Sequence, residues 1–189
     1  MTKIIAFGYQ KRVGKDTCAK FLDSYLRVAR PGLKVKKVSF ASKLKDVSWQ
    51  LYGWAGLQPG VYYETEAGAK VKEVVLPKIG KSPRQIWIEV GNKLREVWPG
   101  TWLDYVLLGG VTGDVVIITD LRFPNEGDAV IAVGGLCYMV DRPGMEKGND
   151  AAETALDNWP KWHGVVANHG TLADLHDTVE SIGREILDG

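Results

Sequence analysis

An apolar run, Ile4-Ile5-Ala6-Phe7, passes straight into Gly8-Tyr9-Gln10-Lys11-Arg12-Val13-Gly14-Lys15-Asp16-Thr17 and then into an amphipathic segment. A strand, a glycine-bearing loop, a lysine and a helix in that order predict a phosphate-binding loop at the carboxyl end of a strand. Each part has a chemical reason. Backbone N–H groups must close around phosphate oxygens, and a side chain at Gly14 would obstruct that approach. Lys15 supplies a compact positive charge for the outer phosphates, and the N-terminus of the following helix adds a partial one. The segment predicts a nucleoside triphosphate site.

The spacing departs in two ways from the standard G-x-x-x-x-G-K-[ST]. Five residues separate Gly8 from Gly14, so Tyr9 stands where the first glycine is expected. Asp16 replaces the hydroxyl residue after the lysine, and Thr17 follows one position later. A Mg²⁺ ligand is therefore open between Asp16, directly or through water, and Thr17, which could serve the phosphates instead. A plain glycine turn is the simpler alternative. The coincidence of strand, glycine, lysine and helix argues against it.

Length and composition set outer bounds. The 189 residues suit one α/β domain, 1–189, and the 45% hydrophobic and 25% charged content is that of an ordinary globular protein. A formal charge of +1 excludes a strongly basic chain built for nonspecific nucleic-acid binding, so any anion site must come from local clustering of Lys and Arg. Cys18 and Cys137 read as small buried hydrophobes in a reducing cytosol. His163, His169 and His176 form no close metal-ligand motif. With no transmembrane run or signal segment in the sequence, the expectation is a cytoplasmic protein.

Along the chain, Cys18, Phe21, Leu22, Tyr25 and Leu26 share one helical face, and Pro31-Gly32 ends that helix. Residues 34–40 predict a strand and 42–54 a helix. Residues 55–81 mix Gly, Pro, Tyr and charges without a period and read as a substrate-binding or lid-like insertion. Ser82-Pro83 predicts an N-cap and first helical position, with the helix running to 98, and a shorter helix follows over 102–108. Val115-Val116-Ile117-Ile118 predicts a strand buried on both faces and ending in Thr119-Asp120. A helix over 124–133, strands over 136–140 and 165–166, and a last helix complete the pattern. Thr171 and Asp174 start that last helix, and Leu172, Leu175, Val179, Ile182 and Ile186 form its apolar stripe. Such alternation predicts a mostly parallel sheet covered by helices.

Functional residues of such sheets gather at the carboxyl ends of the strands. Asp120 sits there, suited to holding a metal ion or orienting a substrate hydroxyl; capping the next turn is its structural alternative. Arg122, Asn125 and Glu126 follow, and Arg122 offers a planar fork for phosphate. Lys45, Arg84, Arg95 and Arg142 are further cations available to a second phosphate, although each alone reads as a surface charge. Trp102 could stack on a base, while most of the seven tryptophans read as core.

Taken together, these segments resemble the bacteriophage deoxynucleoside monophosphate kinase family, a branch of the P-loop kinases. The carrying residues are Lys11 to Thr17; Ser39-Phe40-Ala41 with Leu44-Lys45; Gly80-Lys81-Ser82-Pro83-Arg84-Gln85 leading to Gly91; Thr101-Trp102; Asp120-Leu121-Arg122-Phe123-Pro124-Asn125-Glu126; Arg142-Pro143-Gly144; and Asn168-His169-Gly170-Thr171-Leu172. The resemblance implies a three-layer α/β fold of the nucleoside monophosphate kinase type, with transfer of the γ-phosphoryl group of ATP to a deoxynucleoside monophosphate and Mg²⁺ as cofactor. By motif, Gly14, Lys15, Asp16 and Thr17, with Lys11 and Arg142, would hold ATP, and Lys11 and Arg12 would lie between the two nucleotides. Lys45, Arg84 and Arg122 would grip the acceptor phosphate, with Leu44, Gly91, Asn92 and Trp102 around the nucleoside. Asp120, Asn125 and Glu126 would orient acceptor or metal, and Asp16, Thr17 and Asp120 are the metal candidates. Lys15, Arg12, Arg84, Asp120 and Arg122 would be catalytic. Asn92 departs from the threonine common in the family.

The expected partners are small-molecule nucleotides, with neither nucleic acid nor membrane, and homodimerisation is left open. Two other readings compete. One is a P-loop kinase of another small acceptor, such as dephospho-coenzyme A or phosphomevalonate. The other is a nucleotide-binding module without acceptor chemistry.

Overall fold

The apolar runs become the strands of one parallel sheet. In the computed structural model, which describes residues 2–108, 112–145 and 151–188, the strands are β1 (Lys3–Gly8), β2 (Val35–Val38), β3 (Val115–Leu121), β4 (Leu136–Asp141) and β5 (Gly164–Ala167). Their order is β2-β3-β1-β4-β5, and every pairing is parallel. This places β1 at the centre, and the loop that follows it opens at the carboxyl end of the sheet.

The chain divides into two compact units, Met1–Ser39 with Leu107–Gly189, and Phe40–Val106. The first unit holds the sheet. Alternation along β1 sends Ile5 and Phe7 into a cluster with Cys18, Leu22 and Leu26 of α1 (Lys15–Ala29) and Leu175, Val179, Ile182 and Ile186 of α8 (Leu172–Asp188). Tyr138 and Val140 of β4 join that cluster, whereas Cys137 points the other way, its Sγ 3.8 Å from the Gly127 carbonyl of α6 (Pro124–Ala132). Helices thus cover both faces, giving the three layers expected. Burial pushes the thiols of Cys18 and Cys137 up to about 12, in keeping with packing residues.

Of the boundaries that differ from the sequence reading, two strand ends bear on the site. Strand β2 stops at Val38 rather than 40, because Phe40 already begins α2 (Phe40–Tyr52). Strand β3 runs on to Leu121 across an irregularity: Ala6 pairs with Ile118, but Gly8 pairs with Leu121, so β3 carries one extra residue there. Such a bulge turns the side chains beyond it to new directions. A short helix, α7 (Ala151–Thr154), was not expected, since four residues carry no readable period.

The second unit contains α2, α3 (Glu66–Lys70), α4 (Pro83–Val97) and all but the last residue of α5 (Thr101–Leu107). Ser82 caps α4 as its sequence implies, accepting from the Gln85 N–H at 3.3 Å while the Gln85 side chain accepts from the Ser82 N–H at 2.8 Å. Residues 55–81 are ordered into a 3₁₀ turn (Gly60–Glu64), α3 and an antiparallel bridge between Leu76 and Lys81. Leu57, Tyr63 and Ile86 form the core of this unit, with the Tyr63 ring packed edge-on to Trp87 at 4.9 Å. Among the described residues no helix is long and apolar enough to cross a membrane.

Candidate functional site

The loop after β1 turns by left-handed backbone at three residues, Tyr9 (φ 98), Arg12 (φ 63) and Gly14 (φ 108). Tyr9, in the first-glycine position, adopts a conformation that glycine reaches without strain. Its N–H donates to the Leu121 carbonyl at 3.2 Å, which ties the loop to β3. Gly14 is needed twice over. Its φ disfavours a side chain, and an added Cβ would lie 2.6 Å from Asn168 Nδ2. That amide donates to the Val13 carbonyl at 2.8 Å, so a residue just beyond β5 braces the loop from above.

Lys15 opens α1 and is only 7% exposed. Its Nζ donates to the Tyr9 carbonyl at 3.0 Å and to the Gln10 carbonyl, so the ammonium is folded onto its own loop. Burial, followed by the Arg122 charge, lowers its pKa to about 8; Glu153, Asp16 and Asp120 act in the opposite direction. Lys15, Asp16, Asp120 and Arg122, all expected in the site, are therefore electrostatic neighbours in the first unit. Asp120 accepts from Ser39 Oγ at 2.8 Å. Glu126 is buried and accepts from the N–H groups of Arg122 (2.9 Å) and Phe123 (3.1 Å), so this carboxylate shapes the turn into α6. Arg12, Asp16, Asn125 and Arg142 are exposed.

Sequence reasoning missed Glu153. This α7 residue is 3% exposed; one carboxylate oxygen accepts the Lys11 N–H at 2.8 Å, and the other accepts Arg122 Nη1 at 2.6 Å. Burial alone would push the carboxyl up, but the Lys11 N–H and the Arg122 guanidinium outweigh it and hold the group below the usual value. No periodicity marks the position. Asn168 belongs to the Asn168-to-Leu172 segment, but its brace on Val13 joins residues distant in the chain.

The second unit has its own cations. Lys45 Nζ stands 3.7 Å from Glu64 and over the Trp87 ring, 5.6 Å from its centroid. Arg84 Nε donates to Glu73 at 2.6 Å, and the Arg84 N–H donates to the Lys72 carbonyl at 3.1 Å. Burial lowers the Lys72 pKa, and Lys45 and Arg84 push it the same way, so Lys72 is a third member of this cluster that was not anticipated. Gly91 is buried against Leu44: an added Cβ would lie 3.1 Å from its Cδ2. Asn92 Oδ1 accepts from Arg95 at 3.4 Å, and Trp102 is buried at 5% exposure. A base can stack on Trp102 only after its surroundings open.

No protein-family model matches the chain, and no curated protein matches it. Solved structures similar to it include a shikimate kinase from Acinetobacter baumannii in complex with shikimate (12% identity, 100% of this chain and 94% of that chain, TM-score 0.48). A dephospho-CoA kinase from Campylobacter jejuni is also similar (14% identity, 100% and 99% coverage, TM-score 0.43). So is an unliganded sugar kinase from Janibacter (14% identity, 100% and 95% coverage, TM-score 0.43).

Proposed function

We propose that this chain is a cytoplasmic kinase that transfers the γ-phosphoryl group of ATP to a deoxynucleoside 5′-monophosphate. The observation that carries the reading is the buried Lys15 at the mouth of the loop after the central strand, with Asp16, Asp120 and Arg122 as its charged neighbours. A buried ammonium bonded to backbone carbonyls is costly unless an anion takes their place. Gly14, whose positive φ and close contact with Asn168 exclude a side chain, leads straight into the N-terminus of α1, where backbone N–H groups and the helix dipole favour a phosphate. The residues present therefore fit ATP with Mg²⁺.

In this reading Gly14, Lys15, Asp16 and Thr17, with Lys11 and Arg142, hold the donor. Asp16, Thr17 and Asp120 are the carboxylate and hydroxyl groups available to Mg²⁺, which when bound neutralises charge on the phosphate oxygens. Arg12 presents a cation towards the transferred group, Arg122 holds the acceptor phosphate, and Asp120 and Asn125 orient the acceptor. Lys45 and Arg84 bind phosphate in the second unit, and Leu44, Gly91, Asn92 and Trp102 surround the nucleoside there. No side chain has to act as a strong base, because a phosphate dianion is already a nucleophile. Catalysis then consists of positioning and of positive charge set against a loose transition state. The D-x-R-F-P-N-E segment supports a nucleotide acceptor over other phosphorylated ones.

The test is ADP release measured with each natural deoxy- and ribonucleoside monophosphate, and with dephospho-coenzyme A and phosphomevalonate. Turnover with one or more deoxynucleoside monophosphates is expected. Turnover confined to the other acceptors, or none with any, would overturn the assignment.

A further inference from the structure

Glu153 lies outside the phosphate-binding loop and every segment that carries the family resemblance, yet it is almost completely buried against both the loop and Arg122. Its two oxygens are spent on different elements: one on the Lys11 N–H in the loop, the other on the Arg122 guanidinium beyond β3. A buried carboxylate that serves one backbone donor and one arginine fixes the distance between them. Arg122 is the more exposed partner, with 31% of its side chain accessible against 2% for Glu153. The pairing leaves the guanidinium with further N–H donors for a second anion.

We propose that Glu153 is a positioning residue that couples the phosphate loop to Arg122, setting the guanidinium for the acceptor phosphate while holding the loop in its cradle form. This rests on the kinase reading for its effect on turnover, but the tether to Lys11 does not. Removing the whole carboxylate slackens both ends together. Arg122 loses its anchor, and the loop loses the acceptor for one of its N–H groups.

The experiment compares Glu153→Gln and Glu153→Ala, alone and in an Arg122→Ala background, by steady-state kinetics and by hydrogen exchange of the Lys11 amide. Both variants should raise the acceptor KM by about tenfold with a smaller change in kcat. That effect should vanish when Arg122 is already absent. The Lys11 amide should exchange faster in Glu153→Ala than in Glu153→Gln, whose side chain still offers an acceptor oxygen. An unchanged acceptor KM, or an equal rise with and without Arg122, overturns the coupling. If the parent protein shows no turnover with any acceptor, the kinase reading fails instead, and exchange alone decides: unchanged Lys11 protection in Glu153→Ala overturns the tether.

Discussion

In the proposed kinase Lys15 supplies the charge for the donor phosphates, and its surroundings make that charge pH-sensitive. Its pKa falls from 10.5 to about 8, chiefly through burial. Between these values the unfolded chain binds the proton and the native chain does not, so this group's contribution to stability rises with pH across that window. Donor affinity should move the opposite way, weakening as pH rises through about 8. Calorimetric titration with a non-hydrolysable ATP analogue should show this slope in the parent protein and a flat profile in Lys15→Met. Lys15→Ala should lower turnover on the order of a hundredfold or more while the protein stays folded by circular dichroism. Arg12 tests the loop from another side. A non-glycine residue at φ 63 is strained by about 1 kcal/mol, so Arg12→Gly should hold or raise the urea midpoint while lowering turnover. A variant that lost stability, or kept full turnover, would contradict this role.

Elements differ in how plainly the sequence announces them. Helices α1, α4 and α8 were legible because each is long enough to repeat its apolar face and has a start signal: the glycine loop, Ser82-Pro83 and Thr171 with Asp174. The capping box of α4 has a measurable weight. Ser82→Ala should cost about 1 kcal/mol in urea unfolding, and an unchanged midpoint would show that the box is idle. The short pieces were not legible. In residues 55–81 the 3₁₀ turn and α3 span five residues each, too few to reveal a period. The β3 irregularity was hidden for a different reason. Thr119 and Asp120 look like the end of a strand in sequence, and only pairing with β1 shows the extra residue that sets the direction of Asp120 and Arg122. The bulge matters because it changes which face those side chains leave.

Across the whole molecule, the sequence disclosed local chemistry and missed its long-range partners. The loop after β1, Lys15, Asp120 and Arg122 were readable because each lies at or soon after the carboxyl end of a strand. Glu153 meets Lys11 across 142 positions and Asn168 meets Val13 across 155, separations over which no local pattern carries information. The second compact unit likewise starts at Phe40, well before the segment at 55–81 that looked like an insertion, because α2 and α4 pack together with the turns between them. Ligand linkage provides a global check. An ATP analogue at a hundredfold its Kd should stabilise the folded chain by about 2.7 kcal/mol, and Lys15→Ala should lose most of that gain. The most direct measurement follows the γ-phosphorus itself, using labelled ATP and a deoxynucleoside monophosphate with the parent protein and Lys15→Ala in parallel. Label is expected in the deoxynucleoside diphosphate with the parent and at background with the variant. Label that stayed in ATP, or appeared only as inorganic phosphate, would contradict the transfer.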